Sequence, residues 1–238
     1  MRKPTLAFRC AALCAAVCAA LLALSCASQK EADGMTFDTA PLFGMIYDAD
    51  NQPCAGVQLS VDGSNGLTSD IRGRFVVPDL TRGTHTVMAA KSGYEQLAVD
   101  VAFLNRTDVL HMQMTSFGQL LQMAQEALRD TRWAEAEGFL QRAEKLDPSD
   151  AVLRYLYAVH AYRTGAFAAA VDYLDAIESS GAPQPAVLLL QADIYETRLG
   201  EPDKAVAALQ EYLRLRDDPE VEKRLERLKG QDGEGGAL

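Results

Sequence analysis

The chain has 238 residues, with 33 acidic and 23 basic side chains and a net charge of −10. Its hydrophobic content of 48% is enough to form folded domains, so a chain disordered throughout is excluded. The acidic charge argues against nucleic-acid binding, which normally needs a basic patch, and against electrostatic attachment to anionic lipid.

The first 25 residues have the pattern of a bacterial secretory signal. Basic residues at positions 2, 3 and 9 precede an unbroken apolar run from Cys10 to Leu24. As a helix, this run would span about 22 Å, which is shorter than the ~30 Å hydrocarbon core that a membrane-spanning helix must cross. A spanning helix is the alternative interpretation.

The apolar run ends in Leu22-Ala23-Leu24-Ser25-Cys26. This string resembles the lipobox of bacterial lipoproteins, in which cleavage before the cysteine accompanies attachment of diacylglycerol to it. The resemblance implies that residues 1–25 are a signal peptide and that Cys26 is the lipidation site. Ala23 stands where the family usually has leucine, and Leu24 stands where it usually has a small residue. A plain secretory signal cleaved nearby is therefore the alternative.

Residues 26–40 are predicted to form a flexible tether between the lipid anchor and the folded body. Ala27 follows Cys26, and by resemblance to proteobacterial sorting this favours the outer membrane. The predicted location is the bacterial cell envelope, with the body in the periplasm or at the cell surface. Cys54 is the single cysteine of the predicted folded body, so neither an intramolecular disulfide nor a cysteine metal cluster is expected there.

Residues 41–115 show the short alternating segments that are typical of β structure. Val57, Leu59 and Val61 alternate with polar residues, and later segments repeat this pattern after turn residues. Six or seven such strands predict an all-β antiparallel sandwich. Residues 48–51 have the acidic alternation of a calcium loop without its downstream glycine and glutamate, so a tight turn is expected. His85 is expected to pack at the edge of the core.

The turn and glycine residues of this region carry a family resemblance. They are Gly44, Asp48, Pro53, Gly56-Val57, Thr68-Ser69-Asp70, Gly73-Arg74-Phe75, Leu80, Gly83 and Lys91-Ser92-Gly93-Tyr94. The pattern resembles the carboxypeptidase regulatory-like domain, whose fold is similar to that of transthyretin. The resemblance implies a non-catalytic module with a structural or adhesive role.

Residues 117–219 repeat at an interval of about 34 residues. Three alanines, Ala124, Ala158 and Ala192, are 34 residues apart. Small residues at such positions allow paired helices to cross closely. The pattern resembles the tetratricopeptide repeat, a helix–turn–helix unit of 34 residues, and it predicts a multidomain protein whose C-terminal part is an all-α solenoid.

The resemblance implies three units, at about 117–150, 151–184 and 185–219. The third unit has one extra residue, which we expect in the turn around Gly200-Glu201-Pro202. A capping helix is predicted over 220–229, because the last unit must cover its apolar face. The Gly-rich tail over 230–238 is predicted to be disordered.

By analogy with the family, the first helix of each unit would line a partner-binding surface. Helical spacing gives these candidates: Leu121, Gln125 and Leu128; Tyr155, Val159, Tyr162 and Arg163; Leu189, Asp193 and Glu196. Tyr155 and Tyr162 lie two turns apart on one helix face, and together with Arg163 they form a plausible peptide anchor. The alternative is that both tyrosines simply fill the interior of the superhelix.

No catalytic constellation is found, because the three histidines are scattered and a phosphate-binding glycine-rich loop is absent from the sequence. We therefore expect neither an enzyme nor a bound cofactor or metal. The leading hypothesis is a lipid-anchored scaffold whose repeats bind a protein or peptide of the cell envelope. The alternatives are a lipoprotein that assists outer-membrane protein assembly or secretion, and a sandwich that binds cell-wall glycan, for which the aromatic residues Tyr94 and Phe103 are few.

Overall fold

The computed structural model describes residues 38–181 and 183–234. These residues form seven β-strands followed by seven helices. The predicted fold class is therefore confirmed, with a β-sheet region at the N-terminal side and a helical repeat region at the C-terminal side. Within the described ranges, none of the helices is both long and apolar enough to cross a membrane. The signal segment, Cys26 and most of the tether lie outside these residues.

The strands alternate buried and exposed side chains, as the sequence pattern predicts. Their bounds are β1 Thr39–Asp48, β2 Gln58–Val61, β3 Ser64–Thr68, β4 Arg74–Thr81, β5 Gly83–Ala90, β6 Leu97–Phe103 and β7 Val109–Met114. They form a three-stranded sheet in the order β4-β1-β7 and a four-stranded sheet in the order β3-β2-β5-β6. One core cluster lies between the sheets and includes Leu42, Ile46, Val57 and Phe103.

Most neighbouring strands are antiparallel, but β1 and β7 are parallel, with Phe43 opposite Val109. The alternation of apolar residues did not indicate this parallel pair. Alternation determines which side chains face the core, whereas the direction of a partner strand depends on the long connections between strands.

Two features of the sandwich agree with the residue-level predictions. The Asp48 carboxylate accepts hydrogen bonds from the backbone N–H groups of Asp50 and Gln52 at 2.9 and 2.8 Å, which closes the tight turn. His85 is buried at the edge of the core, with Nδ1 2.6 Å from Oδ2 of Asp62 and Nε2 2.8 Å from the carbonyl oxygen of Thr81. Its ring therefore joins two turns that are far apart in the sequence.

The helices form pairs, as a helix–turn–helix repeat requires. Their bounds are α1 Phe117–Arg129, α2 Trp133–Glu144, α3 Ala151–Thr164, α4 Phe167–Ser180, α5 Pro185–Ile194, α6 Pro202–Leu215 and α7 Pro219–Glu234. The first helices of successive units, α1, α3, α5 and α7, begin 34 residues apart at Phe117, Ala151, Pro185 and Pro219. Three buried clusters follow one another along the region, and each is shared by consecutive helices.

The start of α6 follows the start of α5 by 17 residues, against 16 in the first two units, and this extra residue is absorbed at the end of α5. A π-helical turn over Tyr195–Leu199 continues this helix, and it ends at Gly200 in the left-handed conformation. The expectation that the turn around Gly200-Glu201-Pro202 holds the insertion is therefore wrong. A π-turn accommodates one extra residue without breaking the helix, which leaves the position of α6 in the repeat intact.

The last helix is longer than predicted. Instead of the expected 220–229, α7 spans Pro219–Glu234, so the first residues of the predicted disordered tail are helical. Glycine lowers helix propensity by about 1 kcal/mol relative to alanine but does not by itself terminate a helix. Val221 and Leu228 of α7 are buried in the last cluster, so this helix covers the apolar end of the repeats.

Candidate functional site

The surface of interest is the side of the first helices that carries the predicted partner-binding residues. We call it the first-helix face and define it by Leu121, Gln125, Val152, Tyr155, Val159, Tyr162, Leu189 and Asp193. Within α3, the opposite side is buried and holds Leu153, Leu156, Ala158 and Ala161. The Asp150 carboxylate fixes the start of this helix by accepting a hydrogen bond from Leu153 N–H at 2.8 Å.

The apolar part of the first-helix face lies on α3 and its neighbours. Tyr155 and Val159 are half-buried and pack against two successive core clusters. Val152, one turn before Tyr155, is 55% exposed. Helical spacing places these three side chains in one stripe, and the half-exposed Val152 was not among the sequence candidates. An apolar stripe of this kind can bury further area against a partner.

A polar ladder joins three helices beside this stripe. The Tyr162 hydroxyl donates a hydrogen bond to Oδ2 of Asp193 at 2.7 Å, which links α3 to α5. Arg224 of α7 donates from Nε to Oε2 of Glu196 at 2.6 Å, and its Nη2 lies 3.8 Å from Oδ1 of Asp193. Tyr162, Asp193 and Glu196 are therefore joined in one polar network, in which their polar groups are bonded to one another and to Arg224.

The ladder changes the expected chemistry of the face. Two of the predicted binding residues, Asp193 and Glu196, share one arginine partner, so the two carboxylates are partly neutralised within the protein. A carboxylate paired in this way is less available to a ligand, because binding would require breaking the existing bonds. The geometry therefore favours an apolar partner segment over a basic one.

Arg224 was missed by the sequence analysis, although the repeat contained a signal for it. It lies 34 residues after Leu190 and 68 after Leu156, at the same place in its helix. Extending the 34-residue spacing into the capping helix would have given it the place of Leu156, on the side of the helix that packs against the preceding unit. This position is apolar in the second and third units and charged in the capping helix, at the solvated end of the repeats.

The cation beside Tyr162 is also different from the predicted one. Arg198, in the π-turn, lies over the rings of Tyr162 and Phe167, with its guanidinium carbon 5.5 and 5.4 Å from the two ring centroids. Arg163 is exposed and forms no ion pair within the described residues, and the cation that packs on Tyr162 is Arg198. The extra residue of the π-turn positions Arg198, and spacing arguments for a regular helix do not predict this.

The remaining candidates divide between the surface and the interior. Gln125 is exposed, and its side chain makes no hydrogen bond within the described part of the chain. Leu121 and Leu189 are half-buried at the margins of two core clusters. Leu128 is buried in the first cluster and cannot line a surface, because it faces the partner helix of its own unit.

The β-sandwich and the first repeat unit are joined by side-chain bonds. Arg142 of α2 donates from Nε and Nη2 to the two carboxylate oxygens of Glu95 at 2.8 and 2.6 Å. This hydrogen bonding holds the pKa of the Glu95 carboxyl below its ordinary value. Gln119 of α1 donates to Oδ2 of Asp50 at 2.6 Å, and its amide oxygen accepts from Ser116 N–H at 3.0 Å. The capping box of α1 is thus also a contact to the sandwich.

Residues suited to chemistry are not brought together in the described ranges. No group of three or more histidine, cysteine, aspartate or glutamate side chains could hold a metal ion there. Cys54 is buried, and burial raises the pKa of its thiol. The proposed aromatic glycan contacts also fail as a pair, because Phe103 is fully buried in the sandwich core.

Comparison with known proteins supports the repeat region. Residues 127–194 match the family model described as tetratricopeptide repeat. The C-terminal region of this chain therefore contains tetratricopeptide repeats, and its N-terminal region is rich in β structure. No curated protein matches the chain.

Several solved structures resemble the helical region at low sequence identity. The type III secretion chaperone SycD of Yersinia enterocolitica, in complex with a peptide of the translocator YopD, is 19% identical, with a TM-score of 0.44 over 48% of this chain and 93% of that one. The Arabidopsis OM64 TPR domain is 17% identical, with a TM-score of 0.44 over 48% and 94%. The N-terminal domain of STI-1 from C. elegans is 17% identical, with a TM-score of 0.42 over 48% and 94%.

Proposed function

We propose that this protein is a non-catalytic scaffold of the bacterial cell envelope, anchored to a membrane through Cys26, whose repeats bind an apolar segment of a protein partner. The observation that carries the proposal is the first-helix face, where the apolar stripe of Val152, Tyr155 and Val159 lies beside carboxylates that are already paired. Repeat solenoids commonly use such extended faces for binding.

The β-sandwich would act as a docking module or spacer between the anchor and the repeats. Its bonds to α1 and α2 support this role, because they fix the position of the first unit relative to the sandwich. A fixed spacer would hold the first-helix face at a constant distance from the tether. The assembly-accessory role remains an alternative within the same proposal, since it too requires a partner on this face.

Site-specific photocrosslinking in intact cells tests the repeat surface. We would place a benzophenone amino acid at Gln125 and at Val152, both exposed on the first-helix face. Leu215, at the end of α6, is the matched control, because it is 46% exposed and lies outside this face. Adducts to one protein from the first two positions, and none from Leu215, would support the proposal.

A loss-of-binding variant completes the test. Val152→Ser together with Tyr155→Ala should abolish capture of the same partner, whereas Leu215→Ser should leave it unchanged. Thermal unfolding of the purified variants verifies that they are folded. Equal adducts from all three positions, or capture that survives the double substitution, would remove the support for a partner site on this face.

The membrane anchor needs its own experiment. Labelling of cells with a clickable palmitate analogue should tag the wild-type chain but not Cys26→Ser, and the variant should leave the membrane fraction. Cys54→Ser is the control, since Cys54 is buried in the sandwich. Labelling that persists in Cys26→Ser would contradict lipidation at this residue.

A further inference from the structure

A trough crosses the outer face of the four-stranded sheet, in the β-sandwich rather than in the repeats that form the first-helix face. Two adjoining clefts of about 530 and 490 Å³ form it, and they share Gln58, Ala90 and Gln96. These volumes lie within the range of small-ligand sites. One end of the trough holds Lys91 and Ser92, and the other holds Gly63 and Gly66. The trough is thus elongated and lies across several strands.

Strand register explains the shape of the trough. Gln58 of β2 lies opposite Ala90 of β5, and Gln96 directly precedes β6, whose first residue pairs with Ala89. Gln58 and Gln96 therefore flank Ala90 on its two sides, separated by two strand spacings of about 4.8 Å each. In the next row, Met88 lies opposite Ser60. The floor is made of small or apolar side chains and the walls of amides.

The amides of the walls have free hydrogen-bonding capacity. Gln96 makes no hydrogen bond in the described part of the chain, and Gln58 accepts one contact, from Thr68 Oγ1 at 3.5 Å. None of the residues that line the two clefts is acidic, although the protein carries a net charge of −10. The single cation among them is Lys91, whose ammonium lies 4.6 Å from the ring centroid of Tyr94.

We propose that this trough binds a saccharide chain. A sugar ring has an apolar C–H face and a rim of hydroxyl groups, which match a floor of Ala90 and Met88 between the amides of Gln58 and Gln96. Each amide can both donate to and accept from a hydroxyl group. The absence of carboxylates in the lining suits a neutral chain or one with occasional acidic groups.

Other occupants fit less well. An extended peptide would need partners for its backbone groups, but β2 and β5 are each paired on both sides, so their own backbone groups are already used. A nucleic acid would need more cations than Lys91 alone. A lipid surface would need a continuous exposed apolar patch, and here the exposed amides of Gln58 and Gln96 stand on both sides of Ala90.

The trough differs from the glycan site suggested by the sequence. Phe103 is excluded by burial, and Tyr94 packs against the sandwich core, where burial raises the pKa of its phenol. Replacement of Tyr94 would therefore disturb the fold as well as the trough. The two glutamines are the residues that a test should change, because both are exposed and neither supports the core.

The test uses the full chain in the presence of defined glycans. An array of neutral and acidic oligosaccharides is screened first, and the best probe is then titrated by calorimetry. We expect Gln58→Ala with Gln96→Ala to weaken binding about tenfold or more, the loss expected for several neutral hydrogen bonds. Ala90→Leu should abolish binding by filling the floor. Gln210→Ala, an exposed glutamine on α6, should have no effect.

The outcomes separate this site from the repeat surface. Binding that is lost in the trough variants, with unchanged photocrosslinking from Val152, would support both sites independently. Failure of every glycan on the array to bind at millimolar concentration would overturn the proposal. Glycan binding that the double glutamine substitution leaves unchanged would also overturn the proposal. If Ala90→Leu lowers the melting temperature, the double glutamine variant alone decides the outcome.

Discussion

The β-sandwich and the helical repeats build their cores in different ways. The sandwich has one cluster to which strands from both sheets contribute, whereas the repeats have three clusters in succession. Its polar contacts also join distant residues, such as the pair formed by Asp62 and His85. A change at one point in the sandwich should therefore affect the whole sheet pair, whereas a change in one repeat should affect mainly its neighbours.

This difference also bears on the two proposed binding surfaces. The saccharide trough lies on a sheet whose central strands are paired on both sides, so its walls are held at fixed spacings. The first-helix face is formed by separate helices joined through side chains, such as Tyr162 and Asp193. The trough suits a ligand of repeating shape, and the first-helix face can adjust to a partner by small shifts between units.

The largest expected effect is that of Gly73→Ala in the sandwich. Gly73 has a φ of +72°, and a Cβ there would lie 2.3 Å from the carbonyl oxygen of Ile46. The strain of the left-handed conformation and the backbone clash together should lower the free energy of unfolding by about 2–5 kcal/mol. Hydrogen exchange should then accelerate in all seven strands, as measured by mass spectrometry.

Gly56→Ala is the matched control for this substitution. Gly56 has a φ of +70°, but nothing lies within 4 Å of the position its Cβ would take. Gly56→Ala should lower the free energy of unfolding only through the strain of the left-handed conformation, by about 1–2 kcal/mol. If urea unfolding gives equal losses for the two variants, the clash with Ile46 does not contribute.

In the repeats, Leu174→Ala tests whether damage stays local. Leu174 is fully buried in the cluster shared by α3, α4 and α5, so its truncation should cost about 2–5 kcal/mol. Faster hydrogen exchange should be limited to these helices and their neighbours, with the strands unchanged. Leu215→Ala, at an exposed position, should cost less than about 0.5 kcal/mol. Uniform acceleration over the whole chain would show a single cooperative unit instead.

The sequence predicted these two architectures because each has a strong period. Alternation marked the strands, and the alanines 34 residues apart marked the units. The 34-residue period does not determine how the backbone of a helix is hydrogen-bonded at the point where an extra residue interrupts the repeat. One extra residue was detected by counting, yet its place in the π-turn depends on packing, including that of Arg198 on Tyr162 and Phe167.

The candidate site was predicted in part for the same reason. Helical spacing placed Tyr162 and Asp193 on first helices, where they are hydrogen-bonded to each other, whereas Glu196 lies in the π-turn that continues α5. It could not show that Arg224, in a helix outside the three units, would pair with both acids. The trough proposed to bind a saccharide was not predicted, since its two glutamines are placed on either side of Ala90 only by strand pairing.

The junction between the two regions should contribute a smaller effect. The side chains of Arg142 and Glu95 are 41% and 27% exposed, so solvent screening reduces their interaction to about 0.5–1 kcal/mol. A double-mutant cycle with Arg142→Gln and Glu95→Gln should measure this coupling. The more exposed pair of Lys223 and Glu220, with side chains 70% and 83% exposed, is the control and should give almost no coupling.

The sign of the pH dependence gives a second check on the junction. The pKa of Glu95 is lowered in the folded state, so its contribution is present above the unfolded pKa of about 4.3. The coupling should therefore persist at neutral pH and disappear as the pH falls through the lowered folded value. A coupling that grows on acidification would contradict the ion pair.

The smallest expected effect is the pH dependence that His85 gives the sandwich. Both ring nitrogens face acceptors, a carboxylate oxygen of Asp62 and a carbonyl oxygen of Thr81, so the doubly protonated ring fits the site. The hydrogen bond with Asp62 raises the pKa of His85 above its ordinary value. The stabilisation is then complete below the unfolded pKa of about 6.5 and is lost as the pH rises through the folded value.

Melting temperatures measured from pH 6 to pH 9 should show this loss in the wild-type protein. His85→Gln should lower the melting temperature at pH 6 and flatten its decline at higher pH, because the titrating group is gone. His111→Gln, at an exposed position on β7, should leave the slope unchanged. The acceleration of hydrogen exchange in the wild-type protein above the folded pKa should appear in the strands and spare α3 to α7, because Asp62, Thr81 and His85 all lie in the strands and turns of the sandwich. If the melting temperature falls with pH as steeply in His85→Gln as in the wild-type protein, the pH dependence arises from another group and not from the contact of His85 with Asp62.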